Sequence, residues 1–140
     1  MRPDPIQSDD DAGEGLGNDR ATILIVEDNQ VNSMILRGVL RKHGGEPLVA
    51  RDGMEGVEMT LRHRPALILM DLQMPRLDGF AAAGEIRRRL DGPAPAIVAV
   101  TANVEPAVRA ACVGAGFSGV LAKPVAMDEL ISTVRRYLVF

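Results

Sequence analysis

The sequence predicts an α/β fold: a doubly wound, five-stranded parallel sheet with helices on both faces. Two observations carry this. Short runs such as Ile23-Leu24-Ile25-Val26 and Ala66-Leu67-Ile68-Leu69-Met70 are apolar at every position, so both faces of those strands are buried. Between such runs the apolar residues recur at helical spacing, and turn or capping residues punctuate each change of period.

In chain order, the strand Ile23 to Val26 ends on two acids, Glu27 and Asp28. Val31, Ile35, Leu36, Val39 and Leu40 then describe a helix that Asp28 or Asn29 can cap and Gly44-Gly45 can end. A weaker strand is expected from Pro47 to Ala50. Asp52 is placed to cap a helix carrying Val57 and Leu61, which must stop before Pro65. The third strand runs from Ala66 to Met70 and ends on Asp71. A loop with Pro75 and Gly79 leads to a helix with Phe80, Ala83, Ile86 and Leu90. The fourth strand, Ala96 to Val100, ends on Thr101, and Val104, Val108, Ala111 and Ala115 mark the next helix, stopped by Gly116. The fifth strand, Gly119 to Ala122, ends on Lys123-Pro124, and a last helix carries Leu130, Ile131, Val134 and Leu138. Right-handed crossovers leave few ways to wind five parallel strands, and the flavodoxin-like order 2-1-3-4-5 is expected. Ligands then bind beyond the carboxyl ends of strands one and three.

The polar residues fall on that same edge: Glu27 and Asp28 after strand one, Asp71 after strand three, Thr101 after strand four and Lys123 after strand five. Crowded carboxylates resist joint ionisation unless a cation shares the site. A few hard oxygen ligands suit Mg²⁺, whereas zinc lacks a Cys/His ligand set. A carboxylate facing Mg²⁺, with a lysine and a hydroxyl converging on it, suits phosphoryl transfer onto Asp71. Taken singly, these residues could be helix caps, turn formers or exposed charges; their joint placement is what points to a site. The methionines, among them Met34, Met54, Met59 and Met70, are expected to fill the core, as is Cys112. His43 and His63 are read as solvated residues near helix ends.

With 140 residues the chain has room for one domain, assigned to 21–140, behind a polar, acidic tail over 1–20 that holds little to bury. A formal charge of -3 gives no reason to expect direct nucleic-acid binding. One cysteine, no apolar run near the roughly 20 residues of a membrane span, and no signal-peptide pattern are together read as cytoplasmic, without membrane insertion.

Four blocks, Ile23 to Asn29, Met70 to Gly79, Val100-Thr101-Ala102 and Lys123-Pro124, resemble the receiver domains of two-component response regulators over about residues 22 to 139. Residues 27 to 32, Glu-Asp-Asn-Gln-Val-Asn, are especially similar to receivers attached to hybrid sensor kinases. The resemblance implies that Asp71 takes a phosphoryl group from the phosphohistidine of a histidine kinase or phosphotransfer protein. It further implies that Glu27, Asp28, Asp71 and the Gln73 backbone carbonyl hold Mg²⁺, that Thr101 and Lys123 contact the phosphoryl group, and that the Lys123-Pro124 bond is cis. Many receivers carry Tyr or Phe three residues before the lysine; here Val120 stands there. Signalling is therefore expected to run through loop and helix shifts. The chain ends one helix after the fifth strand, so output is expected through a protein partner on the face of the fourth helix, fifth strand and fifth helix.

Two other classes compete. A phosphorylation-independent scaffold is disfavoured by the intact Asp28, Asp71, Thr101 and Lys123. A phosphatase using Asp71 as nucleophile commonly needs a second acid two residues on, where Gln73 stands. Dinucleotide binding lacks a Gly-x-Gly-x-x-Gly after the first strand.

Overall fold

The computed structural model describes residues 22–138. The tail expected over 1–20 lies outside the described residues. Strands β1 (Ile23–Val26), β2 (Leu48–Ala50), β3 (Leu67–Asp71), β4 (Ala96–Thr101) and β5 (Gly119–Ala122) alternate with helices α1 (Gln30–Lys42), α2 (Gly53–His63), α3 (Gly79–Arg89), α4 (Pro106–Gly114) and α5 (Met127–Tyr137). All pairings are parallel and the order is β2-β1-β3-β4-β5, as the pattern predicts.

Strand side chains alternate between faces, so each apolar run feeds two cores. Ile23, Ile25, Leu67, Leu69, Val98 and Val100 pack with Leu36 and Leu40 of α1 and Leu130, Ile131 and Val134 of α5. Leu24, Val26, Ile68, Met70, Ile97 and Ala99 pack with Val57 of α2, Ala82, Ala83 and Ile86 of α3, and Cys112 of α4. The register then fixes the strand ends: Val26 lies beside Met70, Asp71 beside Val100, and Thr101 beside Ala122. Residues one step past the buried runs therefore emerge together on one edge.

Three helices start on side-chain caps. Asn29, rather than Asp28, accepts from the Asn32 N–H; Asp52 accepts from Glu55 and Asp78 from Ala81. Gly116, at φ +84, follows α4 in the left-handed region that favours glycine.

Some expected core residues are outside. The inward stripe of α1 is Ser33, Leu36 and Leu40. Ile35 projects about 100° round the helix from Leu36, so Val31, Met34 and Ile35 remain 64%, 63% and 57% exposed. Met54 is exposed as well, whereas Met70 is buried and Met59 partly so. In α4 the buried residue is Cys112, and Ala111, one step away on the helix, faces outward.

Candidate functional site at the carboxyl edge of the sheet

The carboxyl edge of the sheet brings together the acids and the lysine that follow the strands. Carboxylate oxygens of Glu27, Asp28 and Asp71 lie within 4.8 Å of one another. Glu27 and Asp71 are buried and Asp28 is exposed, which leaves the cluster open to solvent on one side. The Lys123 ammonium reaches across from β5 to 3.0 Å from Glu27 Oε1 and 3.3 Å from Asp71 Oδ2. Thr101 is buried at the end of β4. Its carbonyl accepts the Lys123 N–H at 2.9 Å, joining the two strand ends, and the Lys123-Pro124 bond is cis.

The backbone following each strand is tied to the side chain that ends it. Asp71 Oδ1 accepts the Gln73 N–H at 3.1 Å, and Thr101 Oγ1 accepts the Asn103 N–H at 3.1 Å. Glu27 Oε2 accepts the Asn29 N–H at 3.1 Å. These bonds between residues two apart turn the chain sharply out of the sheet and hold each functional side chain against its own loop.

Burial raises the Glu27 carboxyl above its ordinary value, with the Asp71 charge acting in the same sense; the Lys123 ammonium and the Asn29 N–H pull against them. Burial alone would lower the Lys123 ammonium, yet its two carboxylate neighbours outweigh burial and hold it above the ordinary lysine range. Lys123 is thus a fixed positive charge at neutral pH. Glu27 Oε1 is buried, with the Lys123 ammonium 3.0 Å away as its ion-pair partner. A buried carboxylate oxygen so placed, beside two further acids, fits a hard divalent cation such as Mg²⁺.

The response regulator receiver domain model matches residues 23–135. The chain belongs to the response regulator receiver domain family. Among curated proteins, the receiver is 40% identical over 115 residues to the peroxide stress-activated histidine kinase mak1 of Schizosaccharomyces pombe, covering 78% of this chain and 7% of that kinase. Most of that relative's length therefore has no counterpart here. Among solved structures it is similar to the receiver domain of sensor histidine kinase PA1611 from Pseudomonas aeruginosa PAO1, determined with magnesium in the active-site cleft. That match has TM-score 0.77 and 38% identity, and covers 84% of this chain and 96% of that one. A second match is the complex of the Saccharomyces cerevisiae phosphotransfer protein Ypd1 with the receiver domain of Ssk1. It has TM-score 0.78 and 33% identity, and covers 84% of this chain and 88% of that one.

Two features of this receiver escaped the sequence reading. One is the exposed apolar group Val31, Met34 and Ile35, beside a groove of about 380 Å³ that Ile35, Pro124 and Val125 line and that reaches Glu27 and Lys123. The other is an ion pair between Asp52 and Arg76, 24 positions apart, which no local pattern announces. Val120, at the position where an aromatic is common, is half-buried against the α2, α3 and α4 layer. Phe117 is buried there too and makes a tilted ring contact with Phe80, centroids 5.7 Å apart.

Proposed function

We propose that this receiver domain, residues 21–140, is a cytoplasmic phosphoacceptor of a two-component phosphorelay in which Asp71 takes the phosphoryl group. The observation that carries the reading is the Lys123 ammonium 3.3 Å from Asp71 Oδ2, within a triad of carboxylates that share a solvent-open hollow. Glu27, Asp28, Asp71 and the Gln73 backbone carbonyl would hold Mg²⁺, which when bound supplies positive charge to the phosphoryl oxygens. An Asp71 oxygen attacks phosphorus, the bond from phosphorus to the donor histidine nitrogen breaks, and that nitrogen keeps the electron pair. Lys123 neutralises charge on the transferring group. Thr101 Oγ1, which accepts from Asn103, still has its own proton to donate to a phosphoryl oxygen.

The donor, a histidine kinase or phosphotransfer protein, reaches Asp71 over α1. The exposed Val31, Met34 and Ile35 and the adjoining groove support this, because an apolar patch at the mouth of a polar site excludes water once covered. Output passes to a protein partner through the α4, β5 and α5 face. No helix among the described residues is long and apolar enough to cross a membrane. The chain is a signalling acceptor that acts catalytically on its own phosphorylation and dephosphorylation alone.

Incubation with Mg²⁺ and a small acyl phosphate tests the reading. The expected result is a mass gain of one phosphoryl group that alkali removes and chelation prevents. No gain favours a phosphorylation-independent scaffold, and rapid turnover of unrelated phosphoesters favours a phosphatase. Gln73 and Asn103 both lie exposed, two residues past Asp71 and Thr101, where they flank the approach of water. Exchanging either side chain for a bulkier or charged one is expected to change the dephosphorylation rate, read as decay of the phosphorylated mass after the donor is removed; unchanged decay removes them from that role.

A further inference from the structure

The loop between β3 and α3 carries Gln73, yet its conformation at Arg76 is one that an arginine does not adopt by preference. Arg76 sits at φ +70, and the Leu77 N–H donates to the Pro75 carbonyl at 2.8 Å, closing a three-residue turn around it. A non-glycine residue in such a turn is strained and persists where surrounding contacts over-determine it. Here the contacts come from α2. Arg76 Nη2 lies 2.6 Å from Asp52 Oδ2, while Asp52 Oδ1 caps α2 by accepting the Glu55 N–H at 2.9 Å. The Asp52 carboxylate is thus shared between the loop and the helix, and its side chain is only 19% exposed. The Glu55 N–H bond, opposed in part by burial and aided by Arg76, holds the Asp52 carboxyl below its ordinary range, so it stays ionised at neutral pH. The next residue, Gly53, packs so closely on the Leu77 carbonyl that a Cβ there would lie 2.9 Å from its carbon.

We propose that the Asp52–Arg76 ion pair is a latch that holds the β3–α3 loop in the conformation from which the Gln73 carbonyl serves the metal, making both positioning residues for Mg²⁺ binding. This rests on the Mg²⁺ site proposed above. Neither residue needs to touch the ion. Without the latch the strained turn relaxes, and the metal must reorder the loop as it binds, which weakens affinity.

Three variants separate this role from fold maintenance. Arg76→Gly removes the latch and relieves the positive φ, so a merely structural residue would be neutral or stabilised by the change. Arg76→Asn also tolerates the left-handed region. Asp52→Ser keeps a helix cap but is too short to reach Arg76. Calorimetric titration of the whole chain with Mg²⁺ is expected to show about fivefold weaker binding for each single variant, below the range typical for partners that touch a metal ligand because this pair acts through the loop and Arg76 is largely exposed. The Asp52→Ser/Arg76→Asn double variant is expected to be no weaker than the singles, the mark of two residues acting as one unit. Melting temperatures report folding separately. Wild-type affinity in Arg76→Gly and Arg76→Asn, or simple addition in the double variant, overturns the latch while leaving the metal site standing. Absence of Mg²⁺ binding by the wild-type chain overturns both.

Discussion

Asp71→Asn is expected to abolish the alkali-labile phosphoryl gain while leaving the fold intact. The amide is close to isosteric, so β3 and its register with β4 need not move. What it removes is the oxygen proposed as nucleophile, and among the described residues the neighbouring carboxylates are poorly placed to substitute: Glu27 is buried with Oε1 against Lys123, and Asp28 lies on the exposed side. Intact-mass measurement after incubation with the acyl phosphate reads the loss directly. Persistent labelling of the variant would move the acceptor elsewhere.

The same variant is expected to change how Glu27 responds to pH. Its carboxyl is held above the ordinary value of 4.5 first by burial and in part by the Asp71 charge. The native state therefore binds more protons than the unfolded chain between 4.5 and the raised folded value, and native stability falls as pH rises through that window. Asp71→Asn deletes that like charge and so lowers the folded value, while it also removes the carboxylate 3.3 Å from Lys123. The Glu27 titration midpoint, read by NMR in chelator, is expected to be lower in the variant than in wild type, and an unchanged midpoint would show that Asp71 does not act on it.

The second large effect belongs to Gly79→Ala, expected to lower stability by about 3 kcal/mol and the melting temperature by roughly 10 °C. A methyl group at Gly79 would lie 2.9 Å from the Leu72 Cα and closer still to the Asp71 carbonyl oxygen. Both obstacles are backbone, so no rotamer change relieves them. The Gly79 N–H also donates to the Leu72 carbonyl at 3.1 Å, which seats the start of α3 directly under the site. The variant is therefore expected to slow phosphorylation of whatever fraction folds, because the atoms pushed aside belong to Asp71 and its neighbour. A melt unchanged from wild type would show that α3 can withdraw without cost.

The sheet order was legible because strands buried on both faces leave an unbroken apolar run, and every run but that of β2 leads directly into a candidate site residue. The helices were legible in existence and less so in phase. Leu36 and Leu40 turn inward while Val31 and Ile35 do not. An apolar residue beside an inward stripe has the same letter whether it meets the sheet or a partner, and periodicity alone cannot separate the two. Cys112 was expected inside and is, yet its helical neighbours Ala111 and Val113 are exposed, because α4 touches the sheet along a narrow line. The Asp52–Arg76 contact was out of reach, since Asp52 already had a sufficient local explanation as a helix cap and satisfied it.

That narrow line bears on how such a chain can diversify. Helix α5 commits Leu130, Ile131 and Val134 to the interior, whereas α4 commits only Cys112 fully. Substitutions along the exposed face of α4, which excludes Cys112 and the partly buried Val108, escape the volume constraints that bind a packed interior. Mutation can therefore redraw the outer surface of that helix at little thermodynamic risk to the scaffold that carries the strand-end residues.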